Sequence, residues 1–110
     1  MELLDRTAAI LRDKGWHQGS SMNKRTGAVC LGQAMASAHE WRRLQIGVEK
    51  AKDEYTRAYR HVIFIIRSRM ANHSYSIPDW NDHRAKDVDE VLEVVKLASE
   101  AADLELAQQV

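Results

Sequence analysis

The sequence has a single cysteine, Cys30, so an intramolecular disulfide is excluded. Its start also lacks the charged and then apolar leader of a signal peptide. Both features are typical of a reducing compartment, and they predict a cytoplasmic protein. The longest apolar run covers only residues 62–66, whereas a membrane span needs roughly 20 apolar residues. We therefore expect no membrane span.

An excess of either charge is also absent, because 16 lysines and arginines balance 16 acidic residues. This balance removes the overall positive charge that favours nucleic acid, and equally the strong acidity of a DNA mimic. The charges are nevertheless unevenly distributed. Residues 57–73 include four arginines and no acid, whereas residues 79–105 include nine acids and three bases. We interpret the two segments as antiparallel helices of opposite charge that pack against each other.

Apolar residues recur every three or four positions in four segments, which predicts a mainly α, four-helix single domain over residues 1–110. The predicted helices are residues 2–14, residues 31–46, residues 48–70 and a last helix that begins after Asp87. Gly15 and Gly47 end the first two helices, and Asn72 is the expected end of the third. At the start of the last helix, Asp87 and Glu90 have the spacing of a capping box.

Two segments between these helices are predicted to be irregular. The glycine-rich segment 15–30 indicates either a loop or a short β-hairpin that pairs residues 16–21 with residues 27–30. Residues 72–86 are expected to form a loop, because the only proline, Pro78, cannot continue the third helix. In this second loop, Trp80 is expected to anchor on the core with a partner for its indole N–H. Asn81 and Asp82 are expected to bond backbone amides of the turn.

Two blocks of the sequence carry a family resemblance. Residues 15–38 combine Gly-Trp-x-Gln with Val-Cys-Leu-x-x-Ala, and residues 77–98 combine Trp-Asn-Asp with the capped start of a helix. Together they resemble a family of small uncharacterised proteins from actinobacteria and their phages, a domain of unknown function. The sequence departs from that pattern at Gln33, where a small residue is usual, and in its long charged third helix. The resemblance implies a shared fold and a phage or actinobacterial setting, with the host cytoplasm as location if phage-encoded, but no activity.

No constellation in the sequence specifies a reaction. The candidate metal ligands are His17, Cys30, Asp79, Asp82 and His83. None of them has the spacing of a zinc knuckle or of a helical His-x-x-x-His pair, so no metal site is predicted. Cys30 could be activated by one of the two histidines, but its apolar surroundings in the sequence favour core packing. We therefore predict no catalytic residue, no cofactor and a function that is not enzymatic.

The favoured hypothesis is an interaction protein that binds a macromolecular partner, or a second copy of itself, through helix three. Five consecutive apolar residues at 62–66 point in all directions around a helix. They can all be buried only if the helix is central in the domain or if another chain packs against its outer side. A symmetric dimer is the commonest such arrangement. The residues expected to bind the partner are Arg57, Arg60, Phe64, Ile65 and Arg67.

Two other binding functions compete with this hypothesis. A small molecule or nucleotide could bind between two segments that supply flat apolar walls and polar anchors. The residues of that predicted pocket are Trp16, His17, Gln18, Trp80, Asn81, Asp82 and His83. Alternatively, Arg57, Arg60 and Arg67 could contact nucleic-acid phosphates while Phe64 stacks on a base. The neutral total charge makes the nucleic-acid alternative the weaker one.

Overall fold

The computed structural model describes residues 1–19, 22–70 and 75–108, and the helices within them number five. They are α1 (Glu2–Lys14), α2 (Leu31–Ile46), α3 (Val48–Ser68), α4 (Ile77–His83) and α5 (Val88–Gln108). Helix α1 packs against α2 and α5, and α3 packs against the same two helices. The four long helices therefore form a ring around one core, with the short α4 against α2 and α3. None of the described helices has the length and apolarity needed to cross a membrane.

The core consists of apolar residues from all five helices, as the spacing of these residues in the sequence predicts. The largest of its fully buried side chains are Trp80, Leu3, Leu4, Leu11, Leu31, Met35, Ile66, Ile77, Val62, Val91, Val94 and Val95. Each buried leucine or isoleucine contributes about 1.5 to 3 kcal/mol relative to an exposed one. Burial of these residues is therefore the main source of the stability of the bundle.

The ends of the first two helices agree with the glycine positions. Gly15 and Gly47 have φ angles of 86° and 88°, which side chains with a Cβ rarely adopt. Gly47 is the single residue between α2 and α3, so these helices are antiparallel neighbours joined by a very short connection. Helix α3 ends at Ser68. The predicted stop, Asn72, lies outside the described residues.

The prediction of four helices is wrong because residues 77–83, expected to be a loop, form α4. Helix α3 already ends at Ser68, and Pro78 lies in the first turn of this new helix, where a missing N–H costs nothing. The hydroxyl oxygen of Ser76 accepts a hydrogen bond from the Asp79 N–H at 3.3 Å and caps the first turn. The serine and the proline together initiate the helix, whereas the prediction of a loop depended on the proline alone.

The alternative of a β-hairpin in segment 15–30 is also wrong for the part of it that the structure describes. Trp16 and Val29 form an isolated parallel bridge, and Met22 and Val29 form an isolated antiparallel one, without a strand or sheet. Residues 20 and 21 lie outside the described residues. The tip is instead a turn organised by Asn23, whose side-chain oxygen accepts the N–H groups of Arg25 and Thr26. Segment 15–30 is therefore a loop whose tip is held by local polar contacts.

The predicted cap of the last helix is present with one difference. The Asp87 carboxylate accepts the Glu90 N–H at 2.9 Å, as a capping box requires. Glu90 reaches back one residue further than expected, to the Lys86 N–H at 3.4 Å. The long helices α3 and α5 then lie against each other, and Arg69 pairs with Glu93 at 3.4 Å across them. The opposite charges of the two segments do meet in the fold.

An ion pair that the sequence analysis did not identify joins three helices. Arg42 of α2 binds both carboxylate oxygens of Glu54 of α3, with Nε–Oε1 and Nη2–Oε2 distances of 2.9 and 2.8 Å. Glu54 also accepts the Leu3 N–H of α1 at 3.0 Å. The hydrogen bond to Glu54 is the main reason that the pKa of Arg42 is raised. Both side chains are mostly buried, so each depends on the other for its charge to be compensated.

We expect Glu54→Ala to destabilise the protein by about 3 kcal/mol, because it leaves the Arg42 guanidinium and the Leu3 N–H without this partner. Glu40→Ala is the matched control, because Glu40 pairs with Arg43 on the exposed side of α2 and should contribute at most about 0.5 kcal/mol. Urea denaturation followed by circular dichroism measures both. Equal losses for the two variants would contradict the role of the buried pair.

Candidate functional site

Asn81 of α4 is the centre of the contact between segment 15–30 and α4. Its side-chain oxygen accepts the Trp16 indole N–H at 2.6 Å and the Leu31 N–H at 3.0 Å. Its amide nitrogen donates to the His17 carbonyl at 3.2 Å and to Asp82 Oδ1 at 2.9 Å. The side chain is fully buried, and both of its donors and both of its acceptor positions are used. Asn81 therefore has no hydrogen-bonding capacity left for a ligand.

Asp82 and Gln18 extend this contact on either side of Asn81. Asp82 Oδ1 accepts the Gly19 N–H at 2.8 Å, and Gln18 Nε2 donates to the Ala85 carbonyl at 3.1 Å. The hydrogen bond from the Asn81 side chain, and then the one from Gly19, lower the pKa of the Asp82 carboxyl. Each of these polar side chains bonds a backbone group or another side chain across the gap between the loop and α4. Asn81 and Asp82 do bond backbone amides, but these amides belong to Leu31 and Gly19 and not, as the sequence analysis expected, to the turn before Asp87.

Trp80 anchors α4 in the core, as expected, because its side chain is fully buried. The expected partner for its indole N–H is absent among the residues that the structure describes. The paired indole is that of Trp16, which is half-buried and reaches Asn81. The positions of Trp16 and Trp80 in the sequence do not show which indole N–H has a hydrogen-bond partner. That depends on which indole edge faces Asn81 in the folded chain.

The residues of the predicted ligand pocket thus fall into three groups. Trp16, Gln18, Asn81 and Asp82 are joined to each other or to the backbone, and Trp80 is within the core. His17 Nδ1 lies 3.1 Å from the Gln18 carbonyl, and His83 is exposed at the end of α4. The structure brings both segments together, as that hypothesis requires. It also gives most of their polar groups an internal partner, and binding of a small molecule there stays a prediction.

Cys30 has a structural contact that explains its position. Its sulfur accepts the Gln33 N–H at 3.3 Å and so caps the first turn of α2. Cys30 lies at the start of α2, between the buried residues Val29 and Leu31, and Gly32 follows in the first turn. Within the described part of the chain, no group of three or more histidine, cysteine or acidic residues is arranged to hold a metal ion.

The outward side of α3 contains the residues that the sequence analysis assigned to partner binding. We call this surface the α3 face and define it as Arg57, Arg60, Phe64 and Arg67. Phe64 is two residues from Val62 and from Ile66, which are fully buried, so it lies about 200° around the helix from them. It is 68% exposed. Ile65 differs from the other four predicted residues, because it packs against the hydrophobic core.

Two arginines and one histidine of α3 converge on one carboxylate of α5. Glu105 accepts two hydrogen bonds from Arg60 Nη2, at 2.7 and 2.8 Å. His61 Nε2 is 3.3 Å from Glu105 Oε2, and Arg57 Nε is 3.7 Å from Glu105 Oε1. Desolvation alone would raise the pKa of Glu105, but the hydrogen bond from His61 and the charge of Arg60 outweigh it and lower the pKa. The α3 face therefore keeps an excess of positive charge.

The comparisons with known proteins identify a family for this chain. A family model described as a family of unknown function, DUF6197, matches residues 1–101, and the chain belongs to this family. The resemblance carried by the Gly-Trp-x-Gln, Val-Cys-Leu and Trp-Asn-Asp elements is thereby confirmed as one to an uncharacterised family. Searches of curated proteins and of solved structures found no match.

We expect Asn81→Ala to destabilise the protein by about 2 to 4 kcal/mol, because it removes the partners of the buried Leu31 N–H and of the Trp16 indole. Asn23→Ala is the matched control. It also removes an asparagine that accepts two backbone N–H groups, but at the exposed tip of the loop, and we expect a loss of about 1 kcal/mol. Thermal and urea denaturation measure both variants. An unchanged stability of Asn81→Ala would contradict the supporting role of α4.

The lowered pKa of Asp82 predicts a loss of stability in acid. A carboxyl whose pKa is lower in the folded state contributes stability above its ordinary pKa of about 3.9, and this contribution disappears as the pH falls through the lower folded value. Asp82→Asn should therefore lower stability at pH 7 and reduce its dependence on pH below about 4. Urea midpoints measured between pH 2 and 7 test this, with Asp13→Asn on the exposed side of α1 as control. A wild-type pH profile in Asp82→Asn would contradict it.

Proposed function

We propose that this chain is a non-enzymatic interaction protein that binds a protein partner through the α3 face. The observation that carries the proposal is Phe64, an aromatic side chain that is 68% exposed on a helix whose other apolar residues at 62–66 pack within the chain. Exposed aromatic residues flanked by arginine are characteristic of the central residues of protein interfaces. Arg60 and Arg67 flank Phe64 one turn away on each side.

The residues best suited to chemistry support the same proposal, because they are engaged in the fold. The Cys30 sulfur caps α2, and the side chain of Asn81 uses all of its hydrogen-bonding groups within the chain. Asp82 is held by Gly19 and Asn81. The reactive side chains of a catalytic site usually face a substrate cavity rather than backbone amides. The α3 face has no comparable internal use for Phe64.

Nucleic-acid binding is the second candidate for the same surface. It is supported by the convergence of Arg57, Arg60 and His61 on a single carboxylate, which leaves more cationic than anionic groups there. The neutral total charge and the use of Arg60 by Glu105 make protein binding the better supported reading. Protein binding and nucleic-acid binding differ in their dependence on salt concentration. For nucleic acid, each lost phosphate contact lowers the slope of log affinity against log salt concentration by about one unit.

The test compares partner capture by three tagged baits: wild type, Phe64→Glu and Leu44→Glu. Leu44 is 90% exposed on α2, so the control introduces the same charge at an exposed apolar residue away from the α3 face. We expect proteins retained by wild type and by Leu44→Glu to be lost from Phe64→Glu, because a buried carboxylate without a partner opposes binding. Quantitative mass spectrometry of the eluates measures this.

Circular dichroism should show the same helical content in all three baits. Retention of the same proteins by all of them would overturn the proposed function. Binding of a nucleic acid that is equally weakened by salt in wild type and Leu44→Glu, and lost in Phe64→Glu, would support the second candidate instead.

A further inference from the structure

Beside the α3 face, α5 presents a stripe of apolar and acidic residues to the outside. Leu97, Ala101 and Leu104 are spaced by four and three residues, so they lie on one side of α5. Leu104 is 60% exposed, while Leu97 and Ala101 are half-buried. Glu100 is exposed and lies on the same turn as these residues. Residues at positions i, i+3, i+4 and i+7 of a helix surround the hole that receives one side chain of a facing helix.

The ion pairs between the two helices fix their relative level. Arg60 of α3 is level with Glu105 of α5, and Arg69 is level with Glu93. The helices therefore run antiparallel, and Phe64, near the midpoint between Arg60 and Arg69, is level with the turn that contains Glu100. Phe64 is exposed on α3, and the hole around Glu100 lies on the neighbouring helix α5. The two are therefore side by side on one surface, at the same level along the helix axes. Within the single chain, Phe64, Glu100 and Leu104 are exposed, and Leu97 and Ala101 keep part of their surface open.

We propose that the protein partner of the α3 face is a second copy of this chain. The proposed dimer has a two-fold axis parallel to α3 and α5. Each Phe64 then enters the hole formed by Leu97, Glu100, Ala101 and Leu104 of the partner subunit. This inference rests on the proposed function and adds to it the identity and orientation of the partner.

Charge selects this orientation over the alternative one. A two-fold axis perpendicular to the helices would place α3 on the partner's α3, and the segment 57–70, which covers the end of α3 and the two residues after it, includes four arginines and no acid. An axis parallel to the helices places this basic segment on the partner's α5, whose outward side carries Glu93 and Glu100. Because the rotation preserves height, the partner's Glu100 lies between Arg60 and Arg67, within reach of a long arginine side chain.

The size of the surface is sufficient for a dimer. Helices α3 and α5 each have 21 residues, so their shared outward side is roughly 30 Å long and 20 Å wide. This area of roughly 600 Å² lies at the lower end of the range that each partner of a standard interface buries, about 600 to 1,000 Å². The apolar centre of Phe64, Leu97 and Leu104 with a charged rim is also the usual composition of such a patch.

The experiment exchanges charges between Arg60 and Glu100 and measures mass by sedimentation equilibrium. Arg60→Glu would place acid against acid, and Glu100→Arg would place base against base, so each variant alone should have a dimer dissociation constant raised about tenfold or more. An equimolar mixture of the two variants should form mixed dimers, because every cross-chain pair is then opposite in charge. A chain carrying both substitutions should again form a homodimer.

Controls separate loss of the interface from loss of folding or a change of total charge. Lys24→Glu and Asp13→Arg make the same charge changes at exposed positions away from the patch and should leave the dimer unchanged. Circular dichroism should show unchanged helical content in all variants. The double variant also controls for the intrachain contact of Arg60 with Glu105, because it lacks that contact and should still dimerise.

A wild-type chain that is monomeric at high micromolar concentration would overturn the inference. So would a dimer that neither single substitution weakens, or single variants that do not recover on mixing. The proposed function fails by a different measurement, the capture comparison with Phe64→Glu. A monomeric chain that captures another protein through Phe64 would refute self-association and retain the interaction function.

Discussion

The buried side chain of Asn81 is the contact on which the arrangement of the irregular parts of this protein depends. It joins the beginning of segment 15–30, the first amide of α2 and the next residue of α4. A buried amide group is costly unless all of its polar atoms are bonded, and here the geometry satisfies all of them. The loop and α4 can therefore take only the relative position in which these four bonds form.

The bundle and this polar contact stabilise the protein in different ways. The four long helices pack through apolar stripes, a mechanism that tolerates small changes of shape and supplies most of the stability. The contact of Arg42, Glu54 and Leu3 and the contact around Asn81 are directional, so they select one arrangement of the helices and loops. Phe64, which is 68% exposed, takes part in neither of these systems.

Much of the helical architecture could be predicted from the sequence because it depends on local spacing. Gly15 and Gly47 end helices at the predicted residues, and α2 has the predicted bounds. Helix α4 was missed because Pro78 was considered only as a residue that ends a helix, although Ser76 and Pro78 are together typical of a helix start. The hydrogen bonds of Asn81 could be expected only in kind, since three of its four partners lie 50 to 65 residues away in the chain.

The outer surface was predictable only in part for a related reason. Five consecutive apolar residues at 62–66 indicate that one of them is uncovered by its own helix, but not which one. The fold selects Phe64, because Ile63 and Ile65 pack against the core from the two flanks of α3. Leu97 and Leu104 of α5 are seven residues apart in the sequence. Their position beside Phe64 becomes apparent only once the ion pairs of α3 and α5 set the level of the two helices.

The position of Asn81 also has a consequence for the motions of the protein. Segment 15–30 and α4 are distant in sequence, and neither satisfies the Asn81 side chain without the other. An opening of either one breaks the hydrogen bonds that join Asn81 to Trp16 and His17 and Asp82 to Gly19, so the two should detach from the bundle together as one cooperative unit. Amide protons of Leu31 and Gly19 should then exchange with solvent at a common rate, distinct from the slower exchange of α1 and α5.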